Sequence, residues 1–343
     1  MLRTGDRDAP IRFVRPRADD PRLTVALVIT ALQVLGQAGL GFKLSISQIL
    51  VPVAVCGVID VAWSVLRTRE VALPASGMLA GNGIAFILRA AGTKHGAWWS
   101  TNGLVLFVAA ALVASVSKYA IRVDGRNVFN PSNLGLVTVF VATGVTHAFP
   151  QYLWWGPTNV SLIAAWVVIA VGALFVLRRL HMIPMVASFL ATFGILIAGL
   201  AFAGRGFFAR WSDARLVGGS YWAHICLSPE LLVFACFMLS DPQTAPRSPR
   251  GRRAYGAAVA FVAAALCYPQ TTEFGVKLAI LSSLAIVCAS MAVARAFPQR
   301  KRVIAVVMSV GVAVGALTVR TAFDPRVVNV EHPPGGSSGT ASQ

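Results

Sequence analysis

Eleven strongly apolar segments separated by short basic loops constrain this chain more than any other feature. They lie near Leu23 to Gly41, Ile46 to Leu66, Leu73 to Leu88, Trp98 to Val116, Asn133 to Phe149, Ser161 to Leu177, Ile183 to Ala203, Tyr221 to Ser240, Ala254 to Tyr268, Phe274 to Ala294 and Val303 to Val319. Most are long enough to cross the roughly 30 Å hydrocarbon core of a bilayer. With 56% hydrophobic and only 13% charged residues over 343 positions, the chain has too little polar surface to cover a soluble core of that size. The pattern predicts an all-α polytopic membrane protein in contact with the lipid bilayer.

The net charge of +17 suggests an acidic partner, but its placement argues against nucleic acid. The basic residues sit in tails and loops beside apolar spans. With the amino terminus inside, alternate loops carry 21 of the 30 lysines and arginines on the cytoplasmic side and eight on the other, Lys277 lying near a helix start. That is the positive-inside pattern, so the charge orients the protein in the cell membrane. The 1–22 tail is too charged for a cleavable leader, which leaves the first span as the insertion signal. The five cysteines lie in or beside apolar spans without CxxC spacing and read as packing residues, and no metal site is expected.

Two stretches align without gaps at a separation of five spans. Ser76-Gly77-Met78-Leu79, running to Leu88, matches Ser228-Pro229-Glu230-Leu231, running to Ser240, and each reads as a broken helix opened by Ser before Gly or Pro. Asn130 to Gly135 pairs similarly with Tyr268 to Gly275. An odd offset reverses orientation, so the pattern predicts an inverted repeat of five plus five transmembrane helices with broken helices near the midplane. The expected units are a cytoplasmic tail at 1–22, a first repeat at 23–149, a connector at 150–159, a second repeat at 160–296, an extra carboxyl-terminal helix at 303–320 and a disordered Pro, Gly and Ser rich tail at 324–343.

The polar loops carry the chemistry. Ser117 to Gly135, SKYAIRVDGRNVFNPSNLG, brings Lys118, Arg122 and Arg126 to a turn at Asp124-Gly125 and then sets Asn127, Asn130 and Asn133 around Phe129. Amides beside an aromatic suit a phosphate-bearing or planar heteroaromatic ligand. They equally suit a capped entry into the next helix, with Ser132 or Asn133 as N-cap. In the second loop, Phe237 to Gly256, Asp241-Pro242 ends a broken span and Thr244, Arg247, Arg250, Arg252 and Arg253 follow.

As an ordered set, these loops resemble those of the NqrB/RnfD family of membrane subunits, found in sodium-pumping NADH:quinone oxidoreductase and the Rnf ferredoxin:NAD electron-transfer complex. The family's lysine-led loop ending in NPFNPAMxG is matched at Lys118 and Asn127 to Gly135, and its segment like FFMATDPVTSPxTRRGRxxYG at Phe237 to Gly256. The Ser76-Gly77 stretch and His181 to Leu190 are also similar to family segments. Within the family the loops look most like the standalone UnbU-type enediyne biosynthesis proteins, whose SKYLFRFRGRHVFNPS and SPAFYLFTFFMITDPKTSP are similar to Ser117 to Ser132 and Ser228 to Pro246.

The resemblance implies a redox or transport component, with Lys118, Asn127, Asn130, Asn133, Asp241 and Thr244 binding a non-covalent flavin, a quinone or a related aromatic. Other membrane redox subunits or natural-product biosynthetic enzymes are the implied partners. Classical members attach FMN to a threonine in an SGAT-like motif on a long insertion, whereas this chain has only 146–159 there, and none of Thr143, Thr146 and Thr158 sits in that motif. Covalent FMN is therefore not expected. A permease for an organic metabolite and a non-catalytic scaffold for biosynthetic enzymes are the competing readings.

Ionisable residues inside a membrane are costly and mark function by default. Asp60 and Glu230 are the ion-binding candidates: Asp60 has a helix-helix contact as its alternative, and Glu230 follows the Ser228-Pro229 break and is expected to face the same cavity. Glu273 opens a span, where the helix dipole is an adequate explanation for it. Trp98-Trp99, Tyr152, Trp154-Trp155, Trp211 and Tyr221-Trp222 are expected in an interfacial aromatic belt. No P-loop, dinucleotide fingerprint, HExxH or Ser-His-Asp grouping supports a soluble type of active site.

Overall fold

The computed structural model describes residues 11–14, 20–151, 160–209 and 214–296. Their helices are α1 (Pro21–Gly39), α2 (Ile46–Thr68), α3 (Ala75–Ile87), α4 (Leu104–Ala120), α5 (Pro131–Thr143), α6 (Val160–Leu180), α7 (Ile183–Phe202), α8 (Gly218–Cys226), α9 (Pro229–Val233), α10 (Pro249–Cys267) and α11 (Glu273–Ala296). A π-helical turn, Phe234–Met238, follows α9. Eight short strands pair two by two: β1 (Arg12–Val14) with β2 (Glu70–Ala72), β3 (Leu88–Ala90) with β6 (Ala148–Pro150), β4 (Arg122–Val123) with β5 (Arg126–Asn127), and β7 (Gly206–Phe208) with β8 (Arg215–Val217).

Six helical stretches among the described residues are long and apolar enough to cross a membrane: α1, α2, α6, α7, the run Gly218–Met238, and α11. In α2 only 17% of the most apolar stretch is buried. Leu50, Val58 and Leu66 are exposed along it, an arrangement that lipid tolerates and water does not. The chain is a multi-pass, all-α membrane protein.

Two pairs of helices meet antiparallel. A side chain at Gly39 would collide with Ser161, and one at Gly172 with Val28, so α1 and α6 pack antiparallel with side chains of one helix seated on glycines of the other. On the other flank Asn133 donates to the Leu281 carbonyl at 3.1 Å, while Phe140 meets Phe274 edge to face at 5.8 Å between centroids. That contact sequence makes α5 and α11 antiparallel too. With α8, α9 and the π-helical turn counted as one span, helices five spans apart thus run in opposite directions, as an in-plane pseudo-two-fold axis would require.

Several boundaries differ from the sequence expectation. α3 is a half-helix: 13 residues rise about 20 Å, after which the chain continues as buried, extended β3. Its break lies after Ile87, and Ser76-Gly77 sits inside the first turn, because Gly77 N–H is held by Asp60 Oδ2 at 2.9 Å. β6 supplies the ladder bonds that a non-helical segment needs at this depth. In the second half the interruption does fall at Ser228-Pro229: Ser228 Oγ accepts from Leu231 N–H at 3.2 Å, with Pro229 in the first turn, where its missing N–H costs nothing.

α4 begins at Leu104 and not at Trp98, since Gly96 and Gly103 take left-handed conformations and turn the chain. α5 stops at Thr143, and the chain returns as β6 instead of continuing to Phe149. The N-cap of α5 is Asn130, not Ser132 or Asn133, because Pro131 occupies the first helical position; Asn130 Oδ1 accepts from Asn133 N–H at 3.1 Å. Tyr221 is no belt residue: it is 1% exposed and packs on Phe207, with ring centroids 5.8 Å apart. The expected helix at 303–320, the 324–343 tail, Tyr152, Trp154, Trp155 and Trp211 lie outside the described residues, as does most of the 1–22 tail and of the connector.

Candidate functional site

The loop between α4 and α5 is a tight hairpin. Asp124 and Gly125 both take positive φ, 51° and 74°, the backbone that a two-residue hairpin turn requires. This aims Arg126 across the molecule, where its guanidinium donates to the carbonyls of Pro242 at 2.6 Å and Ala245 at 2.7 Å. Asn130 Nδ2 donates to the Met238 carbonyl at 3.3 Å. The Asn-rich loop of the first half therefore grips the Asp-Pro loop of the second half through backbone carbonyls.

Asp241 organises its own loop. Its Oδ1 accepts from Gln243 N–H at 2.9 Å, and its carbonyl accepts from Thr244 N–H and Ala245 N–H at 3.2 and 3.0 Å. Burial pushes the Asp241 carboxyl above the usual carboxylate range, against the pull of the Gln243 N–H and the positive charges of Arg22, Arg126 and Lys118.

Between these loops lies a cavity of about 350 Å³. Asn127, Asn130 and Ser132 reach it from the first half and Ser240, Asp241 and Gln243 from the second. Arg22, at the start of α1, stands on its rim, and Phe86, Ile87, Phe237 and Met238 make up part of its apolar wall. The site thus combines amide, hydroxyl and carboxyl groups with aromatic and aliphatic surface.

The structure disperses the remaining residues singled out from the sequence. Lys118 Nζ pairs with Asp60 Oδ1 at 2.6 Å, and Tyr119 O–H donates to the same oxygen. With Gly77 N–H on Oδ2, Asp60 fastens α2 to α4 and to the start of α3, one wall of the cavity. Asn133 is spent on the Leu281 carbonyl, and Thr244 is buried with its hydroxyl donating to the Asp241 carbonyl. Neither Asn133 nor Thr244 lines the cavity.

Glu230 faces a smaller chamber of about 50 Å³, which shares Phe86, Ile87, Val233 and Met238 with the larger cavity. There Lys277 Nζ lies 3.0 Å from Glu230 and 2.5 Å from Glu273. Sequence reasoning missed Lys277 as a site residue, although Glu273 and Lys277 stand at the i, i+4 spacing of a helical ion pair. It also missed Arg22, Gln151 and the cross-loop grip of Arg126. No local pattern signals these, because their partners lie between 116 and 126 positions away for Arg126 and Gln151.

Residues 151–291 match the model of the NQR2, RnfD, RnfE family. The match spans α6 to most of α11, less than half of the chain, and includes the Asp241 loop and Glu230. A comparison with curated proteins found no match.

Proposed function

We propose that the protein is a membrane redox component that holds a non-covalent flavin or a quinone in the larger cavity. The observation that carries this reading is the cavity itself. Its volume of about 350 Å³ falls in the range of small-molecule sites, roughly 300 to 1,000 Å³. Asn127, Asn130 and Gln243 offer partners for ring carbonyls and nitrogens, while Phe86 and Phe237 offer surface for a planar ring. A flavin or quinone would supply the electron-carrying chemistry; the protein would orient it and exclude water. The raised Asp241 carboxyl is suited to sharing a proton with a ligand carbonyl at the rim.

A visible spectrum of the purified protein, followed by denaturation and extraction, tests this reading. The expected result is a flavin or quinone that leaves the polypeptide on denaturation, with no fluorescent protein band on a denaturing gel. Of the threonines considered as anchors, Thr143 donates its hydroxyl to the Val139 carbonyl within α5 and Thr146 contacts His147. Protein that carries neither cofactor and binds neither when supplied would sink the redox reading and favour a scaffold for biosynthetic enzymes. A permease for an organic metabolite is the second reading, favoured by the two chambers that meet at Phe86 and Met238. An association with enediyne-type biosynthetic enzymes rests on the loop resemblance, and co-purification with such enzymes is its test.

We also propose that the amino terminus and the Asp241 to Arg253 loop face the cytoplasm of a cell membrane, from the distribution of basic residues. A reporter fused at Arg250 should be active only in the cytoplasm. Activity confined to the outside would reverse the assignment.

A further inference from the structure

The smaller chamber adjoins the ligand site at Phe86 and Met238 but carries polar groups of its own. Its wall is almost wholly apolar, and the polar side chains on it are Glu230, Lys277 and Gln151. Gln151 is 3% exposed, and its Nε2 has no acceptor among the described residues. Its backbone is fixed, with its N–H donating to the Ile87 carbonyl at 2.8 Å and its carbonyl 3.5 Å from Lys277 Nζ. A buried amide donor left without an acceptor costs about 1 to 3 kcal/mol, and such groups are almost always satisfied by protein or by ordered water. The chamber has room for about three waters at roughly 15 Å³ each. It is far too small for an organic ligand.

The charged groups facing Glu230 among the described residues are Lys277 and Glu273, both from α11. They are not equivalent partners. The Glu273 side chain is 4% exposed and lies 2.5 Å from Lys277, whereas that of Glu230 is 22% exposed, lies 3.0 Å away and borders the chamber. A purely structural role, stapling α9 to α11, accounts for the ion pairs. It does not account for the chamber or for the waiting Gln151 donor.

We propose that the chamber holds a short chain of waters anchored on Gln151, and that Glu230 takes up and releases a proton through it. On uptake, an O–H bond forms on the Glu230 carboxylate as one breaks on a hydronium ion drawn from solvent, leaving neutral water in the chamber. Lys277 then stays paired with Glu273. On release the proton returns to water, and Lys277 again bridges both carboxylates. Lys277 is thus a positioning residue: it neutralises Glu273 when Glu230 is protonated, and it bridges both carboxylates, with one negative charge in excess, when Glu230 is ionised.

Infrared difference spectra between acidic and alkaline pH test this on the full chain in lipid nanodiscs. The expected result is a protonated-carboxyl band at acidic pH that shifts in D2O, is lost in Glu230→Gln and is kept in Glu273→Gln. Gln151→Leu should shift the midpoint of its titration. A wild-type spectrum with no such band overturns the proposal whatever the variants do, as does a band unchanged in Glu230→Gln. A Gln151→Leu midpoint equal to wild type overturns the water chain. Removal of the band by sodium at fixed pH would assign the site to a metal cation instead. The visible spectrum of the same samples reports the larger cavity separately: loss of its ligand with the carboxyl band intact counts against the redox reading alone.

Discussion

Asn130→Ala and Asp241→Ala are each expected to lower flavin or quinone affinity by about 10- to 100-fold while leaving membrane insertion intact, the effect of removing a partner from a desolvated polar contact worth about 1 to 3 kcal/mol. Both side chains border the larger cavity from opposite halves of the molecule. Both also have structural duties, since Asn130 caps α5 and Asp241 holds the turn at Gln243. Loss of a cap costs about 1 kcal/mol, too little to remove the protein from the membrane. Asn133→Ala is the control: its amide bonds the Leu281 carbonyl and does not border the cavity. It should lower stability and leave affinity unchanged. Affinity equal to wild type in both Asn130→Ala and Asp241→Ala, at normal membrane abundance, would rule out the cavity as the ligand site.

The second large effect is on stability. Asp60→Leu leaves the Lys118 ammonium without its partner in a region where the two side chains are only 15% and 14% exposed. Breaking such a buried pair costs about 3 to 5 kcal/mol, whereas replacing both members by apolar groups of similar size is often close to neutral. Asp60→Leu should therefore unfold at markedly lower denaturant or temperature in detergent, and the double variant Asp60→Leu with Lys118→Met should recover much of the loss. Recovery will be incomplete, because Asp60 Oδ2 also accepts from Gly77 N–H and Oδ1 from Tyr119. A single-variant cost of about 1 kcal/mol or less, the value of an exposed pair, would show that Asp60 does not clamp α3.

These two sites differ in how far they were legible. Asn130 and Asp241 stand out in the sequence because Asn, Pro and Gly cluster where hydropathy breaks, and a break in a membrane chain has few uses besides turning or binding. The same clusters misled on detail. Asn133 lies three residues from Asn130 in the motif, but helical geometry turns it toward α11 and away from the cavity. Lys118 belongs to the same basic loop entry, yet its charge is drawn to Asp60, 58 positions away, and not to the ligand site.

The sequence by itself determined the elements whose cause is local. Runs of apolar residues specify the spans, Asp124-Gly125 specifies the hairpin, and Ser228-Pro229 specifies where a helix must restart, because hydration cost and backbone sterics act over a few residues. The five-span offset also predicts opposite directions for the helices it pairs, and α1 with α6 and α5 with α11 do run antiparallel. Only the tertiary structure decided which polar groups meet. The antiparallel seating of α1 on α6 and α5 on α11 brings Arg126 to Pro242, Gln151 to Lys277 and Glu230 to α11, and it opens the two chambers between the halves. Such contacts depend on side-chain volumes and on the space that Gly39 and Gly172 leave for Ser161 and Val28, interactions between residues distant in the chain that no local pattern encodes.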